Sequence, residues 1–505
     1  MDRQSSKTVH TVLSALAVVS AAIFLRLPSC YESLWVDELH SAWIVADDFN
    51  SVYQRSVLGH QSPGYFFLLW IWKQAIGDSE LLMRLSSVLL VACGCAVLAV
   101  GIIRWTKSIP AGLAAGFILA IENNSLFFGT ELRPFALVIL LASISAIAFL
   151  RLASTESRHQ KPVTWCLLVT SILLAALSQP TCLGVLAWLP LCLCGIWCFR
   201  DPKQFRRCSV MDGGLLIMAF LTLITLWMTT LGTSWAEKSM WSSFASATHW
   251  PQIWNMWNWM WLLIIPAIPI MLFIAFQRLQ KQQIRNPSIL VGLGWLAMLA
   301  VLTTVMYWVM SRIEVAPIWH RRYLIAVLPL LACFGGACVG YFDRSITQRL
   351  PALVWASLMA AVMVLGIGIQ QQTLSRLHHY PVALVKRGED WRNAIEWLQR
   401  ESEEDSQILL NAGLIENQTW IAPALFEGRN DAKREYLTFP VRGPYRLNRD
   451  VFPVDGTLQP AIPLPDSETP VFILSRDSPE TTRQRITGGE VIGFGTISIV
   501  TPKRW

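Results

Sequence analysis

Charge is what this chain has least of. Asp, Glu, Lys and Arg make up 15% of its 505 residues, against about a quarter in soluble domains. Hydrophobic residues reach 53% and the mean hydropathy is +0.43. That balance excludes an ordinary soluble domain and implies a polytopic membrane protein. The net charge of +7 is dispersed over short loops between apolar runs, so it reads as an orientation signal and not as a surface for nucleic acid. Zinc-ligand spacing is lacking too. Most of the 11 Cys lie inside apolar runs (Cys93, Cys95, Cys192, Cys194, Cys333, Cys338), none pairs with His at ligand spacing, and the chain after residue 370 has none. They read as small apolar packing residues. No internal repeat is visible.

What is present is a series of long apolar runs over residues 9–369, each able to cross a hydrocarbon core of roughly 30 Å. The first, about Val9–Leu27, follows Arg3 and Lys7 and is long for a cleaved signal, so a retained anchor is expected. Further spans are expected near 80–103, 109–128, 133–151, 163–178, 180–199, 211–231, 256–276, 288–310, 320–341 and 350–369. The run 61–77 is apolar but short, with Pro63 near its start, as in a helix's first turn. If it does not cross, five basic loops fall on the inner side: Arg104/Lys107, Arg151/Arg158/Lys161, Arg200/Lys203/Arg206/Arg207, Arg278/Lys281/Arg285 and Arg344/Arg349. If it crosses, all five face outward against the positive-inside tendency. The expected architecture is therefore an all-α polytopic membrane domain of about 11 transmembrane helices over 1–370, with an interfacial or re-entrant 61–77. The N-terminus is expected in the cytoplasm and the tail outside.

The tail, 371–505, turns charged and Pro-rich. Strand-like runs at Gln407–Leu410, Val471–Leu474 and Thr496–Val500, and a helix from Asp390 as N-cap, predict a small extracytoplasmic α/β domain. The stretch 440–470, rich in Pro and Gly, reads as loop.

Few polar residues face outward in this topology. The first outer loop, 28–79, carries the adjacent acids Asp37 and Glu38 within Leu34-Trp35-Val36-Asp37-Glu38-Leu39-His40. Asp47-Asp48 read as a helix start or solvated turn. His60 and Gln61 open the short helix, Arg84 lies at the outer start of a span, Glu131 and Arg133 cap a turn, and His320, Arg321, Arg322 and Tyr323 stand before a late span. Charge near hydrocarbon is costly and so tends to be paired or functional. Guanidinium groups can hold a phosphate through charge-assisted hydrogen bonds, and a carboxylate can take the proton of an attacking hydroxyl. Because phosphate is a competent leaving group, a single-displacement sugar transfer needs one base and a charge clamp. The plainer readings are solvated loop charges for the acids and snorkelling to head groups for the arginines. Seven Trp within 235–261 read as an aromatic belt at the interface, with a wall for a sugar or prenyl chain as the sharper alternative. Asn123 and Asn417 open short Asn-X-Ser/Thr patterns.

These motifs resemble the GT-C glycosyltransferases that use polyprenyl-phosphate sugars, above all the bacterial relatives of protein mannosyltransferases and lipid A aminoarabinose transferases. The matching pieces are Trp35-Val36-Asp37-Glu38, His60-Gln61-Ser62-Pro63-Gly64-Tyr65, Glu80 to Arg84, Glu131-Leu132-Arg133-Pro134 and Arg322-Tyr323-Leu324. The resemblance implies Asp37 as catalytic base or as the organiser of the reaction centre, with Glu38 beside it in acceptor binding, and Arg84, Arg133, Arg321 and Arg322 as candidates for the lipid phosphate. His60, Gln61, Glu131, His320 and Tyr323 complete the expected substrate site. The implied partners are a polyprenyl-phosphate-linked sugar donor, an envelope acceptor and the lipid bilayer. No dense acid cluster demands a metal, so no cofactor is expected. A lipid-linked substrate transporter or an assembly factor is the competing class. A transporter tends to show paired repeats and broken helices at the membrane midplane, whereas here the polar residues gather at one face.

Overall fold

The computed structural model describes residues 3–154, 161–200, 245–283, 286–346, 348–416, 432–454, 470–486 and 489–502. The chain divides into two compact units. One comprises Met1–Ser29 and Ser87–Val385, the other Cys30–Ser86 and Lys386–Trp505. The expected cut at residue 370 thus gives way to one in which the first outer loop and the tail fold as a single unit. The reason is a set of hydrogen bonds, described below, that join Val36, Leu34 and Glu80 to residues of the tail.

The first unit is helical. α1 (Arg3–Arg26) is followed, after α2 (Val36–Ile44), α3 (Phe49–Leu58) and α4 (Pro63–Ile76) of the other unit, by α5 (Glu80–Thr106), whose residues up to Ser86 belong to that other unit, and by α6 (Ile109–Ile121), α7 (Asn123–Phe128), α8 (Phe135–Ser154) and α9 (Lys161–Ser178). Further helices span Trp188–Arg200, Ile265–Leu279, Pro287–Arg312, Val327–Ser345 and Arg349–Gln370. Among the described residues, seven helices are long and apolar enough to cross a membrane, and Ile109–Ile121, Pro162–Ser178 and Pro180–Ile196 are apolar but shorter. The expected span 211–231 lies outside the described residues, as do Arg158, Lys203, Arg206, Arg207, Arg285, Trp235, Trp241 and Asn417.

Small residues set the packing. Without a hydrophobic drive between helices in lipid, close van der Waals approach does the work. A Cβ on Gly336 would come 2.6 Å from the Ala111 carbonyl oxygen and 2.7 Å from the Ala115 Cβ, so α6 and Val327–Ser345 meet nearly backbone to backbone. Across α8 and α9 the Ser145 and Ser171 hydroxyls bond at 2.7 Å. The expected single span 109–128 is broken at Glu122. Its carboxylate accepts from the Ser125 N–H at 2.9 Å and caps α7, so the chain turns where a continuous helix was expected. The span expected from 320 begins only at Val327, which leaves His320–Tyr323 on the turn before it.

In the second unit, α4 runs for 14 residues, about 21 Å at the α-helical rise, with Pro63 in its first turn and Gly77 closing it at φ 126°. It is not among the helices long enough to span. The tail contributes a five-stranded sheet of order β2-β1-β3-β5-β4, built from β1 (Gln407–Asn411), β2 (Asp450–Pro453), β3 (Val471–Ser475), β4 (Gly489–Phe494) and β5 (Ile497–Pro502). β2, β1 and β3 are parallel; β5 is antiparallel to both β3 and β4. The runs expected as strands form β1, β3 and β5. β2 lies inside the stretch expected as loop: Pro453 is tolerated because the strand is at the sheet edge. The expected tail helix spans Trp391–Glu401, and Asp390 accepts from the Asn393 N–H as its N-cap.

Candidate active site

Nine residues make a helix too short to hold in water on its own, so α2, which carries Asp37 and Glu38, must be fixed from outside. Trp35 is its N-cap, extended at φ −87° and ψ 170°, with no side-chain cap bond. Two carboxylates supply what Trp35 lacks. Glu38 reaches back to the Trp35 N–H at 3.3 Å, one half of a capping box. Glu389, from the tail, accepts from the Val36 N–H at 2.8 Å, a favourable charge at a helix start. At the other end Lys73 donates to the carbonyls of Val45 (3.0 Å) and Ala46 (2.8 Å), and Arg55 donates to that of Trp43 at 2.8 Å. Burial pulls the Lys73 ammonium below its ordinary pKa. His40 stacks on Phe439 at 4.8 Å. Gly59 passes so close that a Cβ there would fall 2.2 Å from His40 Nε2, so only glycine fits.

Asp37 and Glu38 are neighbours in sequence and opposites in surroundings. Glu38 is wholly buried, and so is Arg84. Arg84 Nε donates to Glu38 Oε1 at 2.8 Å, and its Nη2 donates to Glu38 Oε2 and, at 3.0 Å, to the Ser33 carbonyl. Its Nη1 donates to the carbonyls of Glu32 and, at 3.4 Å, Cys30. A guanidinium has five N–H donors, and these five acceptors take them all. A second buried cation, Arg387, stands 3.8 Å from Glu38 Oε2. Asp37, by contrast, is half-buried in the first turn of α2, where the helix dipole favours an anion. Near this pair, burial raises the Glu32 carboxyl above its ordinary value although Arg387, Arg84 and Lys386 pull the other way.

A further set of ion pairs belongs to the same unit. Glu80 pairs with Arg392 and accepts from the Tyr445 hydroxyl. Tyr445 also takes the Leu34 N–H at 2.9 Å, and burial pushes its phenol pKa up. Glu389 accepts from Arg476 and from the Trp391 indole, both at 2.7 Å. Sequence reasoning singled out Arg84 and the acids but missed Glu32, Arg387, Glu389 and Tyr445. The signal for two of them was the charge-dense run Lys386-Arg387-Gly388-Glu389-Asp390-Trp391-Arg392 in the tail. Asp48, read as a helix start or a solvated turn, is the N-cap of α3, its carboxylate accepting from the Ser51 N–H at 2.8 Å. His60 and Gln61 are half-buried on the turn between α3 and α4.

The remaining expected site residues belong to the first unit. Glu131 and Arg133 are buried on the turn before α8. Arg133 Nε and Nη1 are buried with no hydrogen-bond partner among the described residues, an unusual state for a guanidinium. His320 Nδ1 accepts from the Arg322 N–H at 3.2 Å and from its Nε at 3.3 Å, and the Arg322 guanidinium lies 5.7 Å from the Tyr323 ring. Arg321 is exposed and points to Asn124 and the Asn255 carbonyl, at 3.5 and 3.2 Å. No group of three or more His, Cys, Asp or Glu that could hold a metal ion occurs among the described residues.

No protein-family model and no curated protein sequence matches the chain. Two solved structures are similar over nearly its whole length. One is the crystal structure of ArnT from Cupriavidus metallidurans bound to undecaprenyl phosphate, with 14% identity, 98% of this chain and 97% of that chain covered, and a TM-score of 0.50. The other is ArnT from the same organism in the apo state, with 13% identity, coverage of 99% and 98%, and a TM-score of 0.48. The first likeness shows the fold: an ArnT-like helical membrane domain with a small C-terminal sheet region.

Proposed function

We propose that this chain is an inverting glycosyltransferase of the plasma membrane. It takes a sugar from a polyprenyl-phosphate carrier and passes it to an envelope acceptor, a glycolipid, glycan or protein, at the outer face. The observation that carries this reading is the contrast between Asp37 and Glu38. Two adjacent carboxylates in unlike surroundings take unlike roles. Glu38, locked between Arg84 and Arg387, positions α2. Asp37, half-buried on the helix so positioned, accepts the proton of the acceptor hydroxyl as its oxygen attacks the anomeric carbon. The bond from that carbon to the phosphate oxygen breaks, and the polyprenyl phosphate leaves with the electron pair, so no separate acid is needed. The fold shared with ArnT, whose crystal structure holds undecaprenyl phosphate, supports a lipid-phosphate donor.

Arg133 is a candidate cation for that phosphate, since its buried Nε and Nη1 find no hydrogen-bond partner among the described residues. Arg84, an equal candidate in sequence, would first have to leave Glu38. Arg133→Gln is expected to raise the donor KM about tenfold or more, from about 1.5–3 kcal/mol per charge-assisted bond, with the acceptor KM unchanged. Equal, small shifts in both constants in a proteoliposome assay with defined prenyl-phosphate sugars would remove the phosphate role. Absence of transfer from every such donor would remove the function itself.

Four basic helix ends support the outer-face reading. α5, α8, Ile265–Leu279 and Val327–Ser345 carry Arg104, Arg151, Arg278 and Arg344 in their last turns, which the positive-inside tendency assigns to the cytoplasm. A cysteine replacing exposed Arg344 is expected to resist an impermeant maleimide applied to intact cells, and one replacing exposed Glu404 to react. The reverse pattern would invert the topology and place Asp37 on the wrong side for an envelope acceptor.

A further inference from the structure

The helical unit holds a cavity of about 480 Å³, within the roughly 300–1,000 Å³ of small-ligand pockets. It is formed where α6, Arg349–Gln370 and the segment entering Ile265–Leu279 come to their ends. Its lining is unusual for such a place: amides, tryptophans and two guanidinium groups, including Glu122, Trp254, Asn258, Arg321, Gln371 and Arg376.

Part of this lining is built. Glu122 Oε1 accepts from Asn124 at 2.8 Å and from Gln371 at 3.3 Å, and the Gln371 side-chain oxygen takes the Asn123 N–H at 2.8 Å. The indoles of Trp257 and Trp259 are buried and satisfied, by Thr304 at 3.1 Å and the Ile253 carbonyl at 2.8 Å. Two members are different. Both polar atoms of the Asn258 amide are buried with no hydrogen-bond partner among the described residues, a state that costs free energy unless a ligand or water relieves it. Trp254 is 54% exposed, so a ring face of the cavity stands open. An aromatic face beside amide donors and acceptors suits a sugar ring, whose C–H face stacks while its hydroxyls hydrogen-bond. Arg321 and Arg376 add positive charge at the same lining, suited to a carboxylate or phosphate.

We propose that this cavity is a binding site for a saccharide that bears an anionic group. The sugar stacks on Trp254, its hydroxyls satisfy Asn258, and its anion meets Arg321. The source is either the sugar-phosphate head of a lipid carrier or an acidic glycan.

The test measures binding and not transfer, so it can fail while the proposed activity stands, and the reverse. The full chain in phosphatidylcholine nanodiscs is titrated with glucuronic acid, methyl glucoside and inorganic phosphate, with binding read from saturation transfer to the sugar ring protons. Glucuronic acid is expected to bind, and methyl glucoside about tenfold more weakly. Trp254→Ala and Asn258→Leu are each expected to weaken both sugars tenfold or more. Arg321→Gln is expected to abolish the preference for glucuronic acid while methyl glucoside binds as before, a readout that a merely unfolded protein cannot give. Displacement of glucuronic acid by polyprenyl phosphate assigns the site to the carrier's head, and no displacement assigns it to a glycan. Ring-proton transfer that is absent, or unchanged in Trp254→Ala and Asn258→Leu, overturns the proposal. So does displacement of glucuronic acid by inorganic phosphate alone with no binding of methyl glucoside, which would mark an anion site only.

Discussion

Asp37→Asn is expected to lower sugar transfer about 100- to 10,000-fold, the usual worth of a general base, with expression and thermal stability near those of the unaltered protein. The carboxamide keeps the size and hydrogen-bonding reach of the side chain but cannot take the acceptor's proton. Because Asp37 is half-buried, and the buried ion pair with Arg84 is made by its neighbour Glu38, the substitution leaves that pair in place. Transfer within a few-fold of the unaltered rate, measured with a saturating prenyl-phosphate sugar, would remove Asp37 from the chemistry. A transporter or scaffold would tolerate the change. Glu38→Gln at the next position is the informative partner: its loss is expected to appear first in folding yield.

Arg84→Met is expected to destabilise the protein by about 3–5 kcal/mol, since removing one member of a buried pair leaves the other charge uncompensated. Glu38 would lose its bidentate partner and keep the Trp35 N–H at 3.3 Å and Arg387 at 3.8 Å, and the carbonyls of Cys30, Glu32 and Ser33 would lose their shared donor. The thermal midpoint in detergent should fall, and the double variant with Glu38→Leu should lose less than the two single losses added, as coupled residues do. A protein of unchanged stability whose donor KM alone has risen would return Arg84 to the phosphate role that the sequence suggested for it.

Much of the architecture was legible because it is written in local composition. Long apolar runs gave the helices Pro287–Arg312, Val327–Ser345 and Arg349–Gln370 to within a few residues except at the start of the second. Strand-like runs gave β1, β3 and β5, and Asp390 and Asp48 announced the helices they cap. The misses share a cause. Glu122 breaks an apolar run because its carboxylate caps α7, a local competition that hydropathy does not weigh. β2 and β4 lack the alternation of a half-buried strand and are specified by the partners that pair with them. Trp254, Trp257 and Trp259, read as a belt or else as a wall for a sugar or prenyl chain, line a cavity with amides from three separate stretches.

The sequence by itself determined that this is a membrane protein, where its charges fall, and that two adjacent acids follow its first span. Those properties depend on runs of neighbouring residues and on the cost of charge in hydrocarbon. Tertiary structure alone decided which acid is wholly buried and which is half-buried. That choice was made by Arg84, Arg387 and Glu389, side chains about 50 and 350 residues away. Burial and pairing are properties of the folded surroundings, and two identical charge signs side by side in a string carry no mark of them.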